Sequence, residues 1–136
     1  MKVFSLARTL FLLVIFHHGM SEELPTLYEH YTSGGIKSGL VAEGQTFKLN
    51  GKDLRILGGS LHYFRVPPQY WKDRLLKMKA AGLNSVQIYS PWNLHEETPG
   101  TFNFEGFLDL DRFLKEVKDA DMFVVFRPGV RTVELS

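Results

Sequence analysis

The feature that most constrains the fold is a strand-like run of residues that recurs along the chain. One run ends near Gly58-Gly59, the second covers Ser85–Tyr89 and the third covers Met122–Phe126. They recur at intervals of roughly 30 to 35 residues, the length of one strand–helix–strand unit. Strands that are joined by a crossover helix pair in parallel. The sequence therefore predicts an α/β fold built on a parallel sheet.

The first helix of this pattern is predicted between the first two runs. Small or apolar residues recur there at i, i+4, i+7 and i+11, at Trp71, Leu75, Met78 and Gly82. Pro67 and Pro68 stand just ahead of this helix, where proline is tolerated, and glycine is suited to the end of a helix, where Gly82 stands. The strand Ser85–Tyr89 is expected to follow directly.

The second helix is predicted over Leu108–Ala120, where apolar residues recur at i, i+3, i+4 and i+7 from Leu110. The run that follows, Met122–Phe126, has no polar residue. This is typical of a parallel strand that is covered on both faces. We expect the strand to end at Arg127-Pro128-Gly129.

A β-hairpin is predicted before the parallel sheet, over Thr46–Leu57. Its turn is the pair Asn50-Gly51, which favours a type I′ or related turn. We expect its second arm to continue directly into the first parallel strand, where Gly58-Gly59 indicate a close backbone approach or a bulge. Residues 21–45 are polar and contain several glycines, and are predicted to form an extended lead-in.

The first twenty residues have the pattern of a secretory signal peptide. Lys2 and Arg8 supply positive charge, and the apolar run Leu10–Phe16 is too short to span a membrane. We therefore predict a signal peptide over residues 1–20 and entry into the secretory pathway, with a secreted, extracellular or lysosomal destination. The alternative is an N-terminal anchor that is never cleaved.

Composition excludes several classes of function. The 136 residues carry a formal net charge of +1, which argues against a nucleic-acid partner. The chain has no cysteine, so it has no disulfide, no zinc–thiolate site and no thiol nucleophile. Its five histidines lack the spacing of a metal site, and no metal is expected.

The loop after the second parallel strand has an unusual composition. Aromatic, amide and acidic side chains crowd into eight residues, at Tyr89, Trp92, Asn93, His95 and Glu96. Loops at the carboxyl ends of parallel strands are where α/β folds place their sites. Aromatic rings beside polar groups suit sugars, which have apolar CH faces and hydroxyl rims.

The run GGSLHYFRVPPQYWKDRLLKMKAAGLNSVQIYSPWNLHEETPGTFNF, from Gly58 to Phe104, resembles the beta-galactosidases of glycoside hydrolase family 35, most closely an animal branch. The resemblance extends from about Phe47 to Gly129. It implies that residues 46–129 are part of a catalytic domain and form the first three β/α units of a (β/α)8 TIM barrel, an incomplete barrel here because a whole one takes about 250 residues. It also implies hydrolysis of terminal non-reducing β-D-galactosyl residues of a galactoside or glycan, with retention and without a cofactor.

The resemblance implies a substrate-binding role for Tyr89, whose phenol would contact the galactose. The alternative is a tyrosine that packs at the end of a strand. His62, Tyr63 and Arg65 are expected at the same end of the sheet. They form either a wall of the sugar site or a structural group, with Arg65 paired to a carboxylate and His62 a half-buried histidine with satisfied hydrogen bonds.

No catalytic residue is assigned. In the family, both catalytic glutamates lie on later barrel strands, the first within an Asn-Glu pair, and the resemblance stops at Gly129. Residues 130–136 are predicted to be a divergent tail. We expect Glu96 to fix its loop rather than to act with Glu97 as a catalytic pair, since exposed neighbours are not tuned as acid and base. The chain alone is therefore expected to be inactive. The alternatives are a secreted, non-catalytic galactoside-binding or regulatory fragment and an unstable truncated isoform.

Overall fold

The structure is a computed structural model that describes residues 23–130. The predicted signal peptide over residues 1–20 and all but the first residue of the predicted tail over 130–136 lie outside the described residues. The elements, in chain order, are α1 (Leu27–Thr32), β1 (Leu40–Glu43), β2 (Thr46–Leu49), β3 (Lys52–Leu54), β4 (Gly58–Ser60), α2 (Pro68–Ala80), β5 (Ser85–Pro91), α3 (Trp92–His95), α4 (Leu110–Asp119) and β6 (Phe123–Val130), with 3-10 turns at Tyr63–Arg65 and Gly106–Leu108.

The predicted hairpin is confirmed as the pair β2–β3, and β1 adds a third antiparallel strand beside β2. Its turn residues Asn50 and Gly51 have φ values of 52° and 77°, as a type I′ turn requires. The second arm does not run on into the parallel sheet, because β3 ends at Leu54 and β4 begins at Gly58 in a separate sheet.

The prediction of an extended lead-in over residues 21–45 is wrong for residues 27–32, which are helical. Residues 27–32 form α1, and residues 40–43 form β1. A capping box starts α1: the Thr26 side chain accepts from the Glu29 N–H, and the Glu29 carboxylate accepts from the Thr26 N–H. This reciprocal pair stabilises a helix that is too short to show a periodic pattern.

The predicted parallel sheet is confirmed, with strand order β4-β5-β6. Helix α2 joins the first two strands and α4 precedes the third, so the described fold is mixed α/β. Within the residues described, the sheet is open and not a closed barrel. Gly59 lies where β4 meets α2, and a Cβ there would come within 2.9 Å of both Leu83 Cδ1 and Met78 Cε. The close approach predicted at Gly58-Gly59 is therefore an approach of Gly59 to the side chains of Leu83 and Met78.

Both predicted helices are confirmed, with small shifts of their ends. Pro68 is the first residue of α2, and Gly82 follows the helix with a φ of +88°. Helix α4 starts at Leu110 rather than Leu108, because the preceding turn is 3-10, and the Asp109 side chain caps it by accepting from the Arg112 N–H.

One face of the parallel sheet packs against α2 and α4. The buried core consists of Tyr63, Trp71, Leu75, Val86, Ile88, Phe113, Val117, Ala120 and Met122. Trp71 is fully buried, its ring meets Phe113 edge-on at 5.3 Å, and its indole N–H donates to the Val66 carbonyl at 2.9 Å. The apolar stripe predicted for α2 therefore faces the sheet.

The third parallel strand is longer than predicted. It runs from Phe123 to Val130, through the Arg127-Pro128-Gly129 sequence that was expected to end it. Pro128 lacks an N–H, which an edge strand or a bulge tolerates, and the pairing with β5 shifts register between Tyr89 and Pro91. In the described residues this strand is an edge, and Phe126 is 40% exposed, so the expected cover on both faces is incomplete.

Helix α1 packs at the amino-terminal end of β6. The Leu27 N–H donates to Asp121 Oδ1 at 2.7 Å, and Lys79 forms an ion pair with Asp121 Oδ2 at 2.8 Å. The Tyr31 and Phe123 rings meet at 5.7 Å. These contacts place α1 at the end of β6 that is remote from the carboxyl ends of the strands.

Candidate functional site

Alternate residues of β5 point to opposite faces of the sheet. Val86 and Ile88 are fully buried in the core beneath the helices. Gln87 and Tyr89 alternate with them and are only half-buried. Because successive side chains of a strand point to opposite faces, these two residues lie on the face away from the helices. Tyr89 lies near the carboxyl end of the strand, as the sequence predicts.

Arg65 binds the phenol of Tyr89. The guanidinium Nη2 of Arg65 donates to the Tyr89 hydroxyl at 3.0 Å. Arg65 follows β4, and its Cζ also lies 5.4 Å from the centre of the Phe64 ring. The Phe64 ring in turn meets the Tyr89 ring edge-on at 5.1 Å. The prediction that Arg65 pairs with a carboxylate is therefore wrong in the described residues, since its partner is the phenol.

His62 packs against the same tyrosine. Its ring meets the Tyr89 ring edge-on at 4.5 Å and stacks on Phe64 at 5.6 Å. His62 is half-buried, as predicted, but its buried Nδ1 has no hydrogen-bond partner among the described residues, so the predicted hydrogen bond of this nitrogen is not found there. Burial, and then the positive charges of Arg65 and Arg127, lower the pKa of His62 below its ordinary value. The neutral imidazole is therefore favoured.

A second arginine reaches Tyr89 from β6. Arg127 pairs with Tyr89 in the strand register, and its Cζ lies 5.6 Å from the centre of the Tyr89 ring. In the amide orientation that gives both its oxygen and its nitrogen suitable partners, the Gln87 side-chain oxygen accepts hydrogen bonds from Arg127 Nη2 at 3.2 Å and from Arg127 Nε at 3.3 Å. Arg65 thus contacts the hydroxyl of the tyrosine, and Arg127, which is bonded to Gln87, lies over its ring.

Two guanidinium groups lie beside Tyr89. The ion pairs within residues 23–130 are all formed by lysines, and neither Arg65 nor Arg127 takes part in one. The group formed by His62, Arg65, Gln87, Tyr89 and Arg127, which we call the Tyr89 cluster, therefore offers hydrogen-bond donors and aromatic faces. Within the described part of the chain, no three His, Asp or Glu side chains come together to hold a metal ion.

Tyr63 is not part of the Tyr89 cluster. It is fully buried, and its hydroxyl lies 2.5 Å from Nε2 of the equally buried His95. Nδ1 of His95 lies 2.7 Å from the Asn103 carbonyl oxygen, to which it donates. Tyr63 and His95 therefore link the loop after β4 to the loop after β5 through the hydrogen bonds of these buried side chains.

The carboxylate of Glu96 fixes the loop after β5, as predicted. Its Oε2 accepts from the Trp92 indole N–H at 2.5 Å, and its Oε1 accepts from the Gly100 N–H at 2.7 Å. The neighbouring Glu97 is exposed. The sequence predicts either a short strand or a packed loop over Thr101–Phe104, and the structure has mostly a packed loop. The Phe104 ring stacks on His95 at 4.5 Å, and Thr101 makes an isolated β-bridge to Thr98.

Two clefts of the described surface are lined by residues outside the Tyr89 cluster. One, of about 500 Å³, runs along the hairpin between Gln45 and Ile56. Another, of about 310 Å³, is lined mainly by apolar side chains of α1, α4 and the start of β6. Neither brings together polar groups at the strand ends, so the Tyr89 cluster is the stronger candidate site. None of the helices in the described part combines the length and apolar character needed to cross a bilayer.

Comparison with known proteins gives one family and a consistent set of relatives. A sequence model described as glycosyl hydrolases family 35 matches residues 46–131. The chain is 53% identical over 91 residues to human "Beta-galactosidase-1-like protein 2", a match that covers 67% of this chain and 14% of the relative. It is 54% identical over 87 residues to mouse "Beta-galactosidase-1-like protein" (64% and 14%) and 46% identical over 97 residues to rice "Beta-galactosidase 8" (71% and 14%). The chain thus spans about a seventh of the length of these relatives.

Proposed function

Because the chain belongs to glycosyl hydrolases family 35, we propose that it supplies the galactose-contacting part of a β-galactosidase-type glycosidase. The relatives carry the name beta-galactosidase, and their similarity covers the Tyr89 cluster. The substrate class is a galactoside or a glycan with a terminal non-reducing β-D-galactosyl residue. Its hydrolysis, with retention, belongs to the whole enzyme.

The observation that carries this proposal is the position of Tyr89. Its phenol lies near the carboxyl end of a parallel strand, on the face away from the helices, with the Arg65 guanidinium bonded to its oxygen and the Arg127 guanidinium over its ring. A sugar that is bound there would meet a hydroxyl group, charged donors and aromatic faces at once. Ligand sites of open and closed α/β folds lie at this end of the strands.

We also propose that β4, β5 and β6, with their helices, are the first three units of a (β/α)8 barrel. The parallel order and the α2 and α4 crossovers support this arrangement. In such a barrel the face that carries Gln87 and Tyr89 would be the interior, and β6 would pair with a fourth strand. The exposed side chains of β6 would then be covered by the following unit.

The 136-residue chain by itself is proposed to lack hydrolytic activity. A retaining glycosidase needs two carboxyl groups roughly 5–5.5 Å apart. The groups that contact Tyr89 in the described residues are arginine, histidine and phenylalanine, and Glu96 is engaged by Trp92 and Gly100. The catalytic glutamates implied by the family would have to come from later strands.

The binding part of the proposal is tested by titrating galactose into the 136-residue chain and its Tyr89→Phe variant, with ligand-observed NMR as the measurement. Loss of one hydrogen bond of about 0.5–1.5 kcal/mol should weaken binding roughly 2- to 12-fold. Tyr70→Phe is the matched control, because Tyr70 is exposed on α2, away from the cluster. Equal affinity of native chain and Tyr89→Phe would contradict the proposal.

The catalytic part is tested with a chromogenic β-galactoside and purified chain. We expect no turnover above that of a Tyr89→Phe preparation, which controls for a contaminating glycosidase. Turnover that is present in the native chain and lost in the variant belongs to the chain itself, and would show that it holds its own catalytic carboxyl groups.

A second candidate is a secreted, non-catalytic galactoside-binding product. The Tyr89 cluster favours it, because it offers donors and aromatic faces without a carboxylate in contact. Retention on immobilised galactose, lost in Tyr89→Ala and without turnover, would support this function. An unstable chain would instead show no amides in β5 that are protected from hydrogen exchange.

Entry into the secretory pathway is proposed from residues 1–20, with a secreted or lysosomal destination. The test is expression in cultured cells, followed by mass spectrometry of the N terminus of the product. Cleavage near residue 20 is expected, whereas a cytosolic product that keeps Met1 would contradict the proposal.

A further inference from the structure

We infer that Arg65 is a positioning residue that makes the Tyr89 phenol a hydrogen-bond donor toward the sugar; this inference rests on the proposed function. The Arg65 Nη2 lies 3.0 Å from the phenol oxygen. A guanidinium has N–H donors and no acceptor. The phenol oxygen must therefore accept this bond, and the phenol hydrogen must point elsewhere.

The other neighbours of the phenol do not take that hydrogen. Arg127, which lies over the ring, is also only a donor. Phe64 carries no polar acceptor, and the buried Nδ1 of His62 has no hydrogen-bond partner among the described residues. Within residues 23–130 the hydroxyl hydrogen of Tyr89 is thus left for an external acceptor. A ring hydroxyl oxygen of galactose has that chemistry.

Arg65 is held in place before any sugar arrives. Its guanidinium packs over the Phe64 ring at 5.4 Å, and Phe64 packs on both His62 and Tyr89. Accepting a charge-assisted bond also polarises the phenol O–H and strengthens its donation, because hydrogen bonds in a chain reinforce one another. The orientation and the strength of the phenol as a donor therefore both depend on Arg65.

The test is a double-mutant cycle on galactose affinity, with Arg65→Met, Tyr89→Phe and the double variant. Methionine keeps the length of the arginine stem and removes its donors. Arg65→Met should weaken galactose binding roughly 2- to 12-fold, as expected for one hydrogen bond, and should have no further effect in the Tyr89→Phe background. Arg65→Lys, which keeps a charged donor, should recover part of the affinity. Arg74→Met, an exposed arginine of α2, is the matched control.

A second readout separates positioning from a loss of folding. Galactose analogues in which one hydroxyl is replaced by fluorine keep a weak acceptor at that position, whereas deoxy analogues keep none. At the position that Tyr89 contacts, the native chain should bind the fluoro analogue better than the deoxy analogue, and Arg65→Met should remove this difference. Each variant is used only where the fluorescence of buried Trp71 matches that of the native chain.

The outcomes distinguish the inference from the proposed function. Equal affinity of native chain and Tyr89→Phe ends the proposed function. Reduced affinity of Tyr89→Phe with unchanged affinity of Arg65→Met overturns only the positioning role. Additive losses in the double variant also overturn it, because they would mean that Arg65 contacts the sugar independently of the phenol.

Discussion

The hydroxyl of Tyr63 donates to Nε2 of His95 at 2.5 Å, and both side chains are fully buried. Burial raises the pKa of the Tyr63 hydroxyl, which keeps its proton on the oxygen. The opposite ring nitrogen of His95 donates to the Asn103 carbonyl, so Nε2 is left as the acceptor. The first hydrogen bond links the loop after β4 to α3, and the second links α3 to the loop that precedes α4.

Tyr63→Phe should destabilise the protein by about 1–3 kcal/mol, because it leaves Nε2 of His95 buried without a partner. The measurement is the urea midpoint followed by tryptophan fluorescence. Tyr70→Phe removes a hydroxyl from an exposed tyrosine and should leave the midpoint in place. An unchanged midpoint in Tyr63→Phe would mean that the buried bond contributes nothing.

Gly59→Ala should destabilise the protein by about 1 kcal/mol, since the added methyl would lie within 2.9 Å of Leu83 Cδ1 and Met78 Cε, and these ends of flexible, partly buried side chains can shift to make room. Gly58→Ala is the control, because its nearest contacts, to Ser85, are at an ordinary 3.8 Å. Combining Gly59→Ala with Met78→Ala should cost less than the sum of the two changes, and a strictly additive result would argue against this contact.

The lowered pKa of His62 should make stability depend on pH. Because the folded protein disfavours the charged imidazole, the unfolded chain binds more protons as pH falls below the ordinary histidine value of 6.5. The stability that the neutral imidazole contributes is fully present above pH 6.5, and it is lost as the pH falls through the pKa of His62 in the folded protein. His62→Gln should flatten the pH dependence of the urea midpoint in this window, and exposed His30→Gln should not.

Glu96→Ala should loosen the loop after β5, because two hydrogen bonds to its carboxylate are lost. The Trp92 indole, 41% exposed in the native protein, should become more accessible to acrylamide quenching. Glu97→Ala, at the exposed neighbouring position, is the control. If acrylamide quenches the Trp92 fluorescence of both variants equally, the two hydrogen bonds of the Glu96 carboxylate do not restrain the loop.

Much of the fold can be predicted because several local signals agree. The stripe from Trp71 to Met78 and the stop at Gly82 define α2, and Asn50-Gly51 defines the hairpin turn. Helix α1 was missed, although Thr26 and Glu29 have the spacing of a capping box. Six residues are too few to show a helical period against a polar background.

The length of β6 could not be predicted, because a proline ordinarily ends a strand. Pro128 is accommodated only since β6 lies at the edge of the described sheet and its pairing with β5 shifts after Tyr89. That is a property of the assembled sheet and not of the local sequence.

The sequence predicts that Tyr89, His62 and Arg65 lie at the same end of the sheet, but it does not predict the contacts among them or the contribution of Arg127. The position of Tyr89 follows from the end of a strand-like run, and its role follows from the family resemblance. Its contacts with Arg65 and Arg127 depend on how three strands align, since these residues lie 24 and 38 positions away in the chain. The structural alternative for Arg65, a pair with a carboxylate, is not found in the described residues, where its partner is the phenol.

The alternation along β5 ties the interior of the protein to the face that carries Tyr89. A slip of one residue in the pairing of this strand would turn Gln87 and Tyr89 under the helices and expose Val86 and Ile88 to water. A misaligned molecule would therefore lose its hydrophobic packing and the Tyr89 cluster in the same step. Quality control that detects exposed apolar surface would thus also remove the chains in which this cluster is not formed.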